Sequence, residues 1–95
     1  MKQPLKGRMK QPLNYAILLY FTKHEEGDAD SVIEALGPEY GHYRAFKRPA
    51  VVEAIMTAKE NGILEEVRTE LTDGDMLRVW YRLSEYGKGL VQRFL

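Results

Sequence analysis

The side chains best suited to chemistry in this sequence are five cations in two groups. Arg44, Lys47 and Arg48 lie in "HYRAFKR", a stretch without an acidic residue, and Arg78 and Arg82 alternate with apolar residues in "LRVWYRL". Lysine and arginine supply most of the affinity of proteins for nucleic-acid phosphates. The two groups are therefore candidates for contacts with a nucleic-acid backbone.

Catalytic and metal-binding chemistry finds little support in the remaining residues. His24 and His42 are the two histidines, and no cysteine, Gly-rich phosphate loop or nucleophile motif accompanies them. "DADSVIEALGPE" has acids where a calcium loop begins and ends, but Ile33 replaces the glycine that the turn of such a loop needs. We therefore expect no enzyme, with no catalytic residues, no cofactor and no metal.

Composition predicts one small domain with a basic N-terminal arm. The 95 residues are 44% hydrophobic and contain no cysteine, which excludes disulfides. No apolar run approaches the roughly 18 residues of a membrane span, and no secretory signal is recognisable. We therefore expect a cytoplasmic protein. Residues 1–11 carry four bases and no acid, and we predict that they form a flexible basic arm. The domain then covers residues 12–95. Its 10 bases and 14 acids give it a net charge of −4.

Three helical segments precede a pair of strands. "PLNYAILLYFTKH" predicts a first helix, because proline suits a helix start and the apolar set is broad enough for a buried helix. "GDADSVIEALGPEYG" predicts a second, with Asp28 or Asp30 as its N-cap. "KRPAVVEAIMTAKENG" predicts a third helix over 47–61, with Pro49 in its first turn and Gly62 just past its end. Its predicted inner positions are Val51, Ala54, Ile55 and Ala58.

The segment "ILEEVRTELTDGDMLRVWYRLS" predicts two strands around Asp73-Gly74. A two-residue turn there would mix charged and apolar side chains on one face, which the pleat forbids if that face is buried. A loop one residue longer sets Thr72 opposite Met76 and separates the faces. On the core face, this register pairs Leu71 with Leu77, Thr69 with Val79 and Val67 with Tyr81. On the outer face, it pairs Glu70 with Arg78, Arg68 with Trp80 and Glu66 with Arg82. The core face of the second strand continues to Leu83, and "SEYGKGLVQRFL" predicts a short closing helix capped by Ser84.

The order of these elements, three helices, two strands and a helix, is that of a winged helix-turn-helix. "KRPAVVEAIMTAKENGILEEV" resembles the recognition-helix stretch of MarR- and PadR-type regulators, "YRLSEYGKGL" resembles the phrase that ends their wing, and "PLNYAILLYF" resembles their first long helix. The resemblance covers about residues 12–95 and implies a mainly α, α+β fold. One departure is the long link "GPEYGHYRAFKRP", where Tyr40, Tyr43 and Phe46 predict an ordered segment packed on the core.

The resemblance implies a transcriptional regulator that reads double-stranded DNA through helix 47–61 and the wing over 64–83. A homodimer reading two half-sites is expected, and no small-molecule effector is indicated. The predicted DNA contacts are Arg44, Lys47, Arg48, Ala50, Thr57, Arg78 and Arg82.

An alternative function is a winged-helix protein–protein interaction module without DNA binding. Val52 and Met56 occupy the outward face of the third helix, where DNA readers usually offer polar side chains. Trp80 is predicted to face outward, opposite Arg68, where a cation–π contact is possible. Tryptophan is also enriched at protein interfaces. Val52, Met56 and Trp80 are therefore the predicted partner contacts, and the charge of −4 on the domain favours the same alternative.

Overall fold

The computed structural model of the protein describes residues 12–94, and the predicted basic arm over 1–11 lies outside them. The elements follow the predicted order and confirm a mainly α, α+β winged helix-turn-helix. They are α1 (Leu13–Lys23), α2 (Ala29–Tyr40), α3 (Arg48–Glu60), β1 (Leu64–Leu71), β2 (Leu77–Leu83) and α4 (Glu85–Phe94). None of the described helices is long and apolar enough to cross a membrane.

Local signals in the sequence account for the helix ends. Asp28 is the N-cap of α2, and its carboxylate accepts hydrogen bonds from the Ser31 amide at 3.0 Å and the Ser31 hydroxyl at 2.5 Å. α3 begins with a proline in its first turn and is followed by Gly62, which has a φ of 81°. Ser84 caps α4, because its hydroxyl oxygen accepts from the Gly87 amide at 2.9 Å.

The core lies where α1, α2 and α3 meet the inner half of the hairpin. Of the four predicted inner positions of α3, Val51, Ile55 and Ala58 are buried and Ala54 is partly buried. Burial of these apolar side chains is what holds the three helices together. The largest fully buried side chains are Ile17, Val32, Val51, Ile55 and Leu64.

The wing confirms the outer half of the predicted register and contradicts the inner half. Leu71 pairs with Leu77, Glu70 with Arg78, Thr69 with Val79 and Arg68 with Trp80, as predicted. A β-bulge at Val67 then shifts the register by one residue. Glu66 therefore pairs with Tyr81 and Glu65 with Arg82, so the predicted pairs of Val67 with Tyr81 and of Glu66 with Arg82 are wrong.

Tertiary packing explains the bulge. Without it, Leu64 would lie opposite Ser84; with it, Leu64 lies opposite Leu83, and both leucines are buried. Tyr81 is further fixed by Gly27, because the backbone amide of each residue donates to the carbonyl of the other at 2.9 Å. The inner half of the hairpin is thereby set by what it packs against.

The long link between α2 and α3 is ordered, as the sequence predicts. Tyr40 is buried, and its ring centroid lies 5.5 Å from that of Tyr43 and 6.3 Å from that of Phe46. Tyr43 is 39% exposed, so it rests on this cluster with one face in solvent. The link, residues 41–47, therefore presents a fixed basic and aromatic surface next to the start of α3.

Candidate nucleic-acid interface

The outward face of α3 lies between two grooves. One groove, of about 430 Å³, separates α3 from the wing and is lined by Val52, Met76 and Leu77 among others. The other, of about 490 Å³, separates α3 from the start of α1 and is lined by Ala50 and Thr57. Val52 and Met56 are each 37% exposed, so both lie on the outward face of α3 as predicted, together with the exposed Glu53 and Thr57.

Three of the five predicted phosphate contacts have carboxylate partners within the fold. The guanidinium of Arg48 pairs with Asp30. Arg78 Nε lies 2.9 Å from Asp28 Oδ2, and a second nitrogen of the same guanidinium lies 3.3 Å from Asp30 Oδ2. Arg82 Nε lies 2.7 Å from Glu65 Oε2. These three cations are therefore partly neutralised before any ligand arrives.

The partners of the two wing arginines differ from those predicted. The bulge moves Glu65, in place of Glu66, opposite Arg82. Arg78 reaches past the sheet to the start of α2, and its cross-strand neighbour Glu70 instead bonds Arg68 at 3.2 Å. Arg78 thus holds the wing to the start of α2, whereas the ion pair of Arg82 lies within the wing.

Asp30 joins α2, α3 and the wing through two guanidiniums. The hydrogen bond from Arg48 lowers the pKa of Asp30 below its ordinary value; burial acts in the opposite direction, and the charges of Arg48 and Arg78 add to the lowering. Asp30 is therefore held in its ionised form at neutral pH.

Arg44 and Lys47 differ from the other three predicted cations. Both are exposed, and neither has an ion pair among residues 12–94. Lys47 is the N-cap of α3, where the helix dipole disfavours a cation. An anion at this point would relieve that repulsion, so these two side chains are the strongest candidates for phosphate contacts.

The tip of the wing, residues 70–77, is a surface that the sequence reasoning missed. Leu71, Met76 and Leu77 are 70%, 68% and 63% exposed, and the segment contains Glu70, Asp73 and Asp75 but no lysine or arginine. The prediction that Leu71 and Leu77 face the core is wrong, because the hairpin extends past the helices that would cover them. The acids of the turn, Asp73 and Asp75, between the apolar residues Leu71 and Met76 were the available signal.

Trp80, predicted to face outward, is half-buried, and it lies under a cation as predicted. The guanidinium carbon of Arg68 lies 4.4 Å from the centroid of the Trp80 ring. The indole also lines a groove with Ile33 and Glu34 of α2, and its buried Nε1 has no hydrogen-bond partner among the described residues. The cation–π contact is thus confirmed, while a partner contact at Trp80 stays a prediction.

The described residues hold no cluster of side chains that could bind a metal ion. Across residues 12–94, no three or more His, Cys, Asp or Glu side chains come together as metal ligands would. The ion pairs described above account for much of the acidic surface around the N-terminus of α2.

Comparison with known proteins places the chain in a structural class. No protein-family model and no curated protein sequence matches it. Bacillus subtilis PadR, whose crystal structure is in complex with operator DNA, is similar with a TM-score of 0.70 and 21% identity over 86% of this chain. A candidate transcriptional regulator, TA0346 of Thermoplasma acidophilum, is similar with a TM-score of 0.67 and 14% identity over 85% of this chain and 74% of its own.

These likenesses establish the fold. The protein has a winged helix-turn-helix fold similar to that of PadR, which confirms for the fold the resemblance seen in the sequence. The match spans 45% of the length of the PadR chain.

Proposed function

We propose that this protein is a transcriptional regulator that reads duplex DNA through α3 and the link before it. The observation that carries the proposal is the exposed, unpaired position of Arg44 and Lys47 at the start of α3. In helix-turn-helix proteins the N-terminal part of the recognition helix enters the major groove, and helix N-termini, lysine and arginine commonly contact DNA phosphates. PadR, which has the same fold, was crystallised in complex with operator DNA, and this supports a DNA-binding role.

In the proposed complex, α3 enters the major groove and the two link cations neutralise phosphates. Thr57 and Ala50 line the groove beside α1, and in the proposed complex they contact base edges or thymine methyl groups. Arg48 reaches a base only by leaving Asp30, so its contact is weakened by that competition. Arg78 and Arg82 are left out of the proposed contacts because carboxylates of the fold already hold them.

The oligomeric state, the lack of an enzymatic activity and the cellular location that we expect from the sequence stay part of this proposal. Two half-sites read by one fold require a homodimer, and DNA binding of this kind needs neither an enzymatic activity nor a cofactor or effector. A cytoplasmic location is consistent with this role.

A second candidate function is a protein–protein interaction module. The exposed leucines and acids of the wing tip favour it, because DNA-binding surfaces are positively charged and this part of the wing carries no cation. The two candidates differ in their response to salt.

The test is the binding of the full chain to a fluorescent duplex of mixed sequence, measured by anisotropy at salt concentrations from about 50 to 200 mM. We expect binding at the lowest salt, with an affinity that falls steeply as salt rises, because counterions are released from each neutralised phosphate. Absence of binding at about 50 mM salt would end the DNA-binding proposal and leave the interaction module.

A further inference from the structure

The wing tip has the chemistry of a protein-docking surface with a basic partner. Its three exposed apolar side chains continue towards α3 through the groove that Val52 and Met76 line. Asp73 and Asp75 carry two charges there without an ion-pair partner among residues 12–94. Contiguous exposed apolar surface with a charged rim marks an interaction site, and the sign of the rim requires cations on the other side.

The link over 41–47 carries the complementary chemistry on the same molecule. Arg44 and Lys47 are exposed cations without ion-pair partners in the described chain, and Tyr43 presents an aromatic face that is 39% exposed. Its ring packs edge-on against Tyr40 and His42, so the aromatic surface is fixed in place. An aromatic ring beside two cations suits leucine side chains that lie beside two carboxylates.

We infer that the wing tip of one copy docks against the link of a second copy. Asp73 and Asp75 would pair with Arg44 and Lys47, and the exposed leucines of the wing would cover Tyr43. A twofold axis makes both contacts occur twice, so the dimer is closed. A wing-on-wing contact is excluded as the main interaction, because it would bring four like charges together.

This contact uses the same two cations that the proposed DNA complex needs. The dimer is therefore a DNA-free form, distinct from two copies on neighbouring half-sites, and DNA at low salt would compete with it. That consequence rests on the proposed function, whereas the self-association itself does not.

The experiment is sedimentation velocity of the full chain without DNA, at protein concentrations up to about 1 mM. The wing variant is Asp73→Lys/Asp75→Asn, with asparagine at 75 because that residue has a φ of 60°. The link variant is Arg44→Glu/Lys47→Glu. The matched control is Glu25→Lys/Glu34→Lys, which changes charge outside both surfaces. Circular dichroism checks that each variant is folded.

We expect the wild type and the control to form a dimer that high salt weakens, and each variant alone to be at least tenfold weaker in self-association. An equimolar mixture of the two variants restores a dimer, because the lysine introduced at position 73 then faces the glutamates of the link variant, and the second contact keeps its wild-type charges. A monomeric wild type over the whole range overturns the inference. So does a mixture of folded variants that stays monomeric, or a variant that dimerises like the control. None of these outcomes depends on whether the protein binds DNA.

Discussion

Arg78 and Asp28 join the wing to the start of α2, with Nε and Oδ2 2.9 Å apart. The Asp28 side chain is 4% exposed and also caps α2 through its hydrogen bonds with Ser31. A buried carboxylate with one cationic partner depends on that partner, because its charge would otherwise be left without compensation. This relationship explains why a wing arginine serves the fold.

Replacing Arg78 by alanine is expected to lower the free energy of unfolding by about 1–3 kcal/mol, since the Asp28 carboxylate would lose its ion-pair partner. Urea unfolding measures the change. The control is Arg82→Ala, whose ion pair with Glu65 is exposed and whose loss is expected to leave stability unchanged. Equal effects of the two substitutions would contradict the structural role of Arg78.

Two glycines of α4 are expected to respond in opposite ways to alanine. A Cβ at Gly87 would lie 2.2 Å from the carbonyl oxygen of Ile63, whereas a Cβ at Gly89 meets nothing within 4 Å. Gly87→Ala therefore forces the backbone apart, at a cost of about 1–3 kcal/mol. Gly89→Ala is expected to stabilise by about 0.4–1 kcal/mol through helix propensity. Thermal unfolding of the two variants checks this, and a destabilised Gly89→Ala would show that the packing of α4 is misassigned.

The fluorescence of Trp80, the single tryptophan, reports the cation that covers it. The Arg68 guanidinium over the ring keeps water from one face. Arg68→Ala is expected to move the emission of the folded protein to longer wavelength. Arg82→Ala removes a neighbouring wing cation that does not cover the ring, and is expected to leave the emission unchanged. Unaltered emission in Arg68→Ala would argue against the cation–π geometry.

Acid is expected to loosen the junction around Asp30. The hydrogen bond from Arg48 and the nearby guanidinium charges lower the folded pKa of this carboxyl below its ordinary value of 3.8. Its contribution to stability is therefore complete above that value and is lost as the pH falls through the lowered pKa. The effect is small because the carboxylate is half exposed.

The measurement is the urea midpoint at about pH 5 and at about pH 3. When the pH falls from the higher to the lower of these values, the Asp30→Asn variant is expected to lose less stability than the wild type. An acid response that is the same in both would place the titrating group elsewhere.

The parts of the fold that the sequence predicts are those with local signals. Pro49 and Gly62 bound α3, and an Asp-Gly turn marks the hairpin, so the order of elements and the outer register followed from neighbouring residues. The bulge at Val67 could not be predicted from neighbouring residues. It depends on Leu64 meeting Leu83 and on the bridge to Gly27, which are contacts between distant segments.

The candidate interface was predictable in its residue types and not in their partners. Cross-strand neighbours of Arg78 were visible in the sequence, but its true partners come from α2, whose position against the sheet no local pattern encodes. Alternation likewise placed Leu71 and Leu77 in the core, because a period of two cannot show where the helices beneath the hairpin end.

The central claim is that the link cations, and not the wing arginines, neutralise phosphate. The most direct measurement is the slope of the logarithm of the DNA affinity against the logarithm of salt concentration, for three variants: Arg44→Ala/Lys47→Ala, Arg82→Ala and the control Lys23→Ala/Lys88→Ala. Each lost phosphate contact reduces the slope by about 0.9. We predict a slope smaller by about 1.8 for the link variant and an unchanged slope for the other two. A link variant with the wild-type slope, beside a reduced slope in Arg82→Ala, would contradict the claim.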